Sequence, residues 1–185
     1  MQKIPTVFVR DWENNPKYVT SEPHPDCAWV LDGEGVATRK YDGTCVMYDG
    51  ERWWARREVK EGKQFPPGFM ALAADADTGK TVGWEPVEQS GFAKFHAEAV
   101  AVAGEWVQGT YELCGPKINK NPERQEAHVL IEHESAERIP GFPLTFAGIR
   151  DAVLRLAKDD GVEGIVWHHP DGRMAKIKAR DFDGS

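Results

Sequence analysis

The stretch that decides the fold is 36-VATRKYDGTCVMYDGERWWARREV-59. Its alternation of side-chain character predicts strands at residues 36–42 and 45–48, because successive strand side chains point to opposite faces. Tyr48-Asp49-Gly50-Glu51 then reads as a hairpin turn, since Asp-Gly readily supplies the positive φ angles of a type I′ turn. The return strand, residues 52–59, puts Trp53 and Trp54 on opposite faces. Working toward the C-terminus, residues 60–91 are turn-rich, with Pro66, Pro67, Gly68, Gly79, Gly83 and Pro86 breaking any regular period. A helix is expected at 92–102, with Phe92, Phe95, Ala99 and Val102 along one stripe. Strands are expected at 106–114 and 127–133. A second helix at 145–158 buries Ile149, Ala152, Val153 and Leu156 and closes near Gly161. Residues 162–168 form a short apolar strand, which His169-Pro170-Asp171-Gly172 turns into a last strand at 173–180. The first 35 residues, rich in Pro, Asp and Glu, are expected to hold one strand, residues 6–9. Hairpins imply mostly antiparallel sheets with helices packed on them, an α+β fold rather than a parallel βαβ array.

Composition sets further bounds. A chain of 185 residues with 41% hydrophobic and 29% charged side chains is that of an ordinary globular protein. No apolar run approaches the roughly 20 residues of a membrane span, and the first residues are too short and interrupted an apolar stretch for a signal peptide. A soluble, cytoplasmic protein without a membrane partner is the expectation. Cys27, Cys45 and Cys114 are odd in number and widely spaced, which argues against both a disulfide framework and a cysteine zinc site. The formal net charge of −7 disfavours a passive nucleic-acid coat. Basic residues are grouped, however: Arg52, Arg56, Arg57, Lys60 and Lys63 in one stretch, and Arg173, Lys176, Lys178 and Arg180 in another that holds no acidic residue. Such islands on an acidic body suit an enzyme that grips phosphates in one place; solvated strand faces are the alternative.

Neither GxxxxGK[ST] nor GxGxxG occurs, so a nucleotide would have to be held by side chains from strands. The sharpest local pattern is Lys40-Tyr41-Asp42-Gly43 at a strand end. It is followed in order by Arg56-Arg57, Tyr111-Glu112-Leu113, Glu163-Gly164-Ile165-Val166 and Lys176-Ile177-Lys178. The order matches the motifs of the covalent nucleotidyltransferase superfamily, which comprises DNA and RNA ligases and mRNA capping enzymes. The segments 109-GTYELCGPKINKNPE-123, 128-HVLIEHES-135, 163-EGIVWHHPDG-172 and 175-AKIKARDF-182 resemble one branch more closely. That branch is the small 5′-to-3′ RNA ligases, which include the vertebrate cytosolic enzyme. Residues 82-VGWEPVE-88 and 5-PTVFV-9 look like it too.

The resemblance implies an adenylyltransferase, ATP-grasp-like domain of mostly antiparallel sheets with flanking helices and a nucleotide groove between sheets. Only residues 179–185 follow the last lysine motif, so residues 1–185 are read as one nucleotidyltransferase domain without a C-terminal oligonucleotide-binding domain. Lys40 would attack ATP and carry AMP, and RNA ends bearing a 5′-phosphate and a 3′-hydroxyl would be sealed. A lysine must be neutral to attack phosphorus although its reference pKa is about 10.4; nearby cations and burial both favour the neutral form. Lys176, Lys178, Arg56 and Arg57 are candidates for that positive field, and Lys176 and Lys178 are counted with Lys40 as catalytic. Nucleotide contacts are expected from Arg39, Lys40, Asp42, Gly43, Arg56, Arg57, Glu112, Glu163, Lys176 and Lys178, with a slight preference for Arg57 over Arg56; Asp42 could instead be a turn former, and Glu112 and Glu163 structural ion pairs. Gly43 would be required because a side chain crowds the nucleotide or the turn. Glu112 and Glu163 would hold Mg²⁺ or Mn²⁺. His128 or Leu130 could cover the adenine, or either could be core. Trp84 could stack on a terminal base or be core, and Asn119 and Asn121 could shape the site or form a simple turn. The pattern departs at Thr38, where ligases often carry Glu, so base selectivity is assigned to main-chain groups near Arg39. A guanylyltransferase, or a non-catalytic RNA-end-binding module on the same fold, are the competing readings.

Overall fold

Antiparallel strand pairing organises nearly every hydrogen bond of the sheets, and each sheet buries the face that the side-chain alternation makes apolar. The structure is a computed structural model and describes residues 3–75, 78–102 and 104–182. Its contacts divide the described residues into two compact units: residues 42–135 with Lys3, and residues 4–41 with 136–182. The architecture is α+β, with mostly antiparallel sheets and few helices. No helix of the described residues is long and apolar enough to cross a membrane.

The unit built from both ends of the chain holds β1 (Phe8–Asp11) and β2 (Asn15–Pro23), which pair as a hairpin, and a short helix α1 (Ala28–Leu31). Its main sheet runs in the order β11 (Met174–Lys178), β10 (Gly164–His168), β3 (Val36–Lys40). Backbone pairing widens both edges: Val7 N–H donates to Lys176 O beside β11, and Arg39 N–H donates to Glu137 O beside β3. One face is core. Ala37, Ile165, Trp167, Ala175 and Ile177 pack there with Phe8, Val30, Ile149 and Val153. The last two come from α3 (Phe146–Asp160), whose first turn is capped by the Thr145 hydroxyl accepting from Gly148 N–H, and whose end is set by Gly161 at φ 69°.

The other unit is a six-stranded sheet in the order β6 (Met70–Asp75), β7 (Lys80–Pro86), β5 (Trp53–Lys60), β4 (Thr44–Tyr48), β8 (Gly109–Cys114), β9 (Val129–Glu132). Helix α2 (Ala93–Val100) belongs to the same unit; Ala99 clusters with Leu113 and Ile118, and Val46, Ala55 and Tyr111 form the neighbouring cluster.

Four expectations need correction. Residues 60–91 carry β6 and β7: Gly79 makes the turn between them, and Gly83 sits inside β7 because a Cβ there would lie 2.3 Å from Met70 O. The hairpin at Asp49-Gly50 is not type I′. Among the described residues Asp49 does not have a positive φ, only Gly50 of the pair does, and the Asp49 carboxylate instead accepts from Glu51 and Arg52 N–H. Val102 lies beyond α2 and is 79% exposed, and the buried face of the helix uses His96 and Ala99. The N-terminal segment holds two strands; β2 is exposed along most of its length, so it shows no apolar alternation to read.

Candidate active site

In the three-stranded sheet, register puts Lys178, Gly164 and Lys40 in one row, and Lys176, Val166 and Thr38 in the next but one. Both rows lie on the face opposite the apolar core, so all three motif lysines share one face. Gly164 sits between Lys40 and Lys178 without a side chain, and it has to: a Cβ there would meet Ile177 O at 2.1 Å. Glu163, just before β10, reaches both neighbours. Its Oε2 accepts from Lys40 Nζ at 2.6 Å and its Oε1 from Lys178 Nζ at 2.5 Å. Burial pushes the Glu163 carboxyl up, but the Lys40 charge and the hydrogen bonds from Lys178 and Lys40 outweigh it and hold the carboxyl below its ordinary value. Thr38 is buried, donates its hydroxyl to Val166 O, and meets His168 Nε2 at 3.2 Å. Arg39 falls in the row of Ile165 and Ile177, away from Lys40; its guanidinium lies over Tyr41, and its N–H is taken by Glu137 O.

In the six-stranded sheet the buried carboxylate of Glu112 accepts from Gly43 N–H at 3.0 Å with Oε1 and contacts His133 Nε2 at 2.9 Å with Oε2. The Asp42-Gly43 backbone is held from a second side by the loop after β8. Asn119 Nδ2 donates to Asp42 Oδ1 at 3.0 Å and to Gly43 O at 2.8 Å, and Asp42 N–H donates to Glu123 Oε1 at 2.8 Å. That loop runs through positive φ at Asn119, Lys120, Asn121 and Arg124, a costly conformation for residues with a Cβ. Asn121 locks it by exchanging hydrogen bonds with the Gln125 backbone. Asn119 and Asn121 thus do more than make a turn: one grips the motif, the other the loop.

The requirement for Gly43 comes from β8. A Cβ there would stand 2.3 Å from Leu113 O, 2.8 Å from Cys114 Sγ and 2.9 Å from Glu112 Cγ.

Register also sorts the remaining candidates. Ile131, Glu112 and Cys45 form one row, and the same register places Cys45 opposite Arg56, which pairs with Trp84. Arg56 therefore lies on the Glu112 face. Arg57 points to the opposite face, where its guanidinium is 3.7 Å from the buried carboxylate of Glu85. Of the two arginines, only Arg56 shares the face of Glu112. His128 and Leu130 turn to the helix side, His128 stacking on Phe95 and pairing with Glu98, Leu130 packing in the core. Val129 and Ile131 are the β9 side chains on the Glu112 face. Trp84 is 2% exposed and belongs to the core.

His133 and Glu123 are the contacts that sequence reasoning missed. His133 shares parity with Ile131 along the strand, so the alternation that places Ile131 opposite Glu112 could have found it. No pattern marks Glu123, which acts through loop geometry.

Among the described residues no three His, Cys, Asp or Glu side chains gather into a metal cage. A magnesium ion held chiefly by phosphate and water needs only one or two carboxylates. Glu112 fits that donor type, because each of its oxygens keeps a lone pair beyond the hydrogen bond it accepts. Glu163 presents the same oxygens with an ammonium on each.

No known family profile matches the chain. It is similar to RNA ligase 1 of Rattus norvegicus, 24% identical over 257 aligned positions that take in 95% of this chain and 79% of that protein. RNA ligase 1 of Mus musculus is 24% identical over the same span, covering 95% of this chain and 78% of the mouse protein. The likeness is a distant relationship to RNA ligases, and it runs through both units.

Proposed function

We propose that this protein is an ATP-dependent RNA ligase of nucleotidyltransferase fold that joins a 5′-phosphate to a 3′-hydroxyl through lysyl-AMP on Lys40. The observation that carries the reading is the Lys40–Glu163–Lys178 arrangement on a polar sheet face, with Lys176 on the same face. A lysine fixed by a half-buried carboxylate among further lysines is placed for phosphorus chemistry rather than for solvation. The distant likeness to RNA ligase 1 supports it.

In the proposed cycle Lys40 first loses its proton to solvent. Its nitrogen lone pair attacks the α-phosphorus of ATP, the P–O bond to the β-phosphate breaks, and diphosphate leaves with the electron pair. Lys176 and Lys178 stabilise the charge that develops on the phosphate oxygens. An oxygen of the RNA 5′-phosphate then attacks the AMP phosphorus, the P–N bond breaks, and Lys40 recovers its proton. The 3′-hydroxyl oxygen finally attacks the activated 5′-phosphorus, its proton passing to solvent, while the P–O bond to AMP breaks and AMP leaves with the electron pair, each step an in-line displacement. Glu163 orients the Lys40 amine; Glu163 and Glu112 are each carried forward as candidate ligands of Mg²⁺ or Mn²⁺, which would supply positive charge to the phosphates. Arg56, Asp42 and Gly43 are assigned to the nucleotide, and Ile131 or Val129 to the adenine face.

Incubation with labelled ATP or GTP, followed by a chase with 5′-phosphorylated RNA or DNA, tests the reading. An ATP-dependent adduct discharged by RNA with formation of sealed product is the expected result. An adduct formed with GTP alone would assign a guanylyltransferase, and RNA binding without any adduct a non-catalytic module.

A further inference from the structure

We propose that His133 is a positioning residue: it fixes the Glu112 carboxylate and, through it, the Gly43 amide of the Lys40-Tyr41-Asp42-Gly43 motif. Its consequence for catalysis rests on the function proposed above; its geometry does not. Glu112 is 8% exposed, so its charge depends on the donors around it rather than on water. Two are present on separate oxygens, Gly43 N–H at 3.0 Å and His133 Nε2 at 2.9 Å. A carboxylate oxygen only accepts, so Nε2 carries a proton; in the neutral ring Nδ1 then accepts from the Thr110 hydroxyl, 2.9 Å away. Thr110 lies two residues before Glu112 on β8 and so shares its face. Thr110 O also accepts from His133 N–H at 3.0 Å, which pins the backbone that carries the ring. The histidine is thus held at its main chain and at Nδ1, leaving Nε2 aimed at one oxygen of Glu112.

A carboxylate held at one oxygen can swing about that contact, and one held at both oxygens has its plane fixed. The two-point hold keeps Oε1 on the Gly43 amide and leaves one lone pair on each oxygen for a nucleotide hydroxyl or a hydrated cation. Removing a group that orients a ligand typically costs about 10–100-fold in affinity or rate. A histidine that merely satisfied a buried acid would lower stability when removed, without acting through Glu112.

The test compares the full-length chain with His133→Leu, His133→Gln, Glu112→Gln and the double variant His133→Leu/Glu112→Gln. The readouts are single-turnover lysyl-AMP formation from α-labelled ATP, and hydrogen exchange of the Gly43 amide by NMR. His133→Gln keeps an N–H donor near the position of Nε2. His133→Leu is expected to slow adduct formation about 10–100-fold, His133→Gln to recover most of the rate, and the double variant to be no slower than Glu112→Gln alone. Gly43 exchange should accelerate in His133→Leu and stay near wild type in His133→Gln. If His133→Leu does not fold, His133→Asn, too short to reach Oε2, takes its place. Wild-type exchange at Gly43 in the Leu or Asn variant, or rate losses that simply add in the double variant, would overturn the inference. Absence of any adduct in the wild type would sink the ligase reading instead, and Gly43 exchange would still decide the role of His133.

Discussion

Replacing Glu163 with Gln keeps the shape of the side chain and removes the one negative charge shared by Lys40 and Lys178. The carboxylate is 12% exposed, and the two lysine side chains are 19% and 16% exposed. Removing one partner of a fully buried pair costs about 3–5 kcal/mol, and an exposed pair contributes about 0–1 kcal/mol. Exposure below one fifth puts this group nearer the buried limit, discounted for the water that does reach it, so a loss of about 2–3 kcal/mol is expected. For a chain of this length that lowers the melting temperature by about 4–12 °C. The loss also has a pH signature. The folded carboxyl titrates below its ordinary value because the pull of the two ammonium groups exceeds the effect of burial. Wild-type Glu163 therefore contributes fully above the unfolded value of about 4.3, and that contribution fades as pH falls through the lower folded value. Urea midpoints of wild type and Glu163→Gln should differ at neutral pH and converge in acid. Adding Lys178→Met to Glu163→Gln should restore part of the loss, because one stranded ammonium is gone. Equal midpoints at neutral pH, or a gap that widens in acid, would refute the reasoning.

Gly43→Ala should destabilise by about 1–3 kcal/mol, toward the upper end because the nearest obstacle, Leu113 O at 2.3 Å, is backbone; thermal unfolding measures it. Burial holds His96 below its ordinary value, with Glu88 opposing, so stability should be flat above about pH 6.5 and fall as acid protonates the unfolded histidine first. His96→Phe should remove that slope from a series of urea midpoints, and a slope that persists would assign it to another group. Arg56→Ala should slow adduct formation about 10–100-fold, as expected for loss of a charge-assisted hydrogen bond of about 1.5–3 kcal/mol. Arg57→Ala should leave that rate alone and lower stability, since it leaves the buried Glu85 without its guanidinium; the opposite ranking would restore Arg57 as the nucleotide contact.

What could be read from the sequence was what alternation carries. Strands β3, β4, β5, β10 and β11 each send alternate apolar side chains into a core, and period-two patterning exposes such strands along with the parity of their residues. That parity explains why three lysines 138 positions or fewer apart in sequence, Lys40, Lys176 and Lys178, meet on one sheet face. The same rule separates Arg56 from Arg57, but only once the register of β4 against β5 is known, and register is not written in either strand alone. β2 and β6 were hidden because most of their side chains face solvent. β7 was hidden by Gly83 and Pro86, which look like breakers although one admits a close neighbour and the other ends the strand. The grip of Asn119 and Glu123 on Asp42-Gly43 depends on a loop in left-handed backbone, a conformation that Asn tolerates and that Lys120 and Arg124 do not announce. His133 was within reach, one strand repeat beyond Ile131.

The most direct measurement is peptide mapping of the chain after incubation with ATP and Mg²⁺, in wild type and Lys40→Ala. The account predicts AMP attached through nitrogen to Lys40 in the wild type, discharged on adding 5′-phosphorylated RNA, and no adduct in the variant. An adduct on another residue, or one that survives Lys40→Ala, would contradict it.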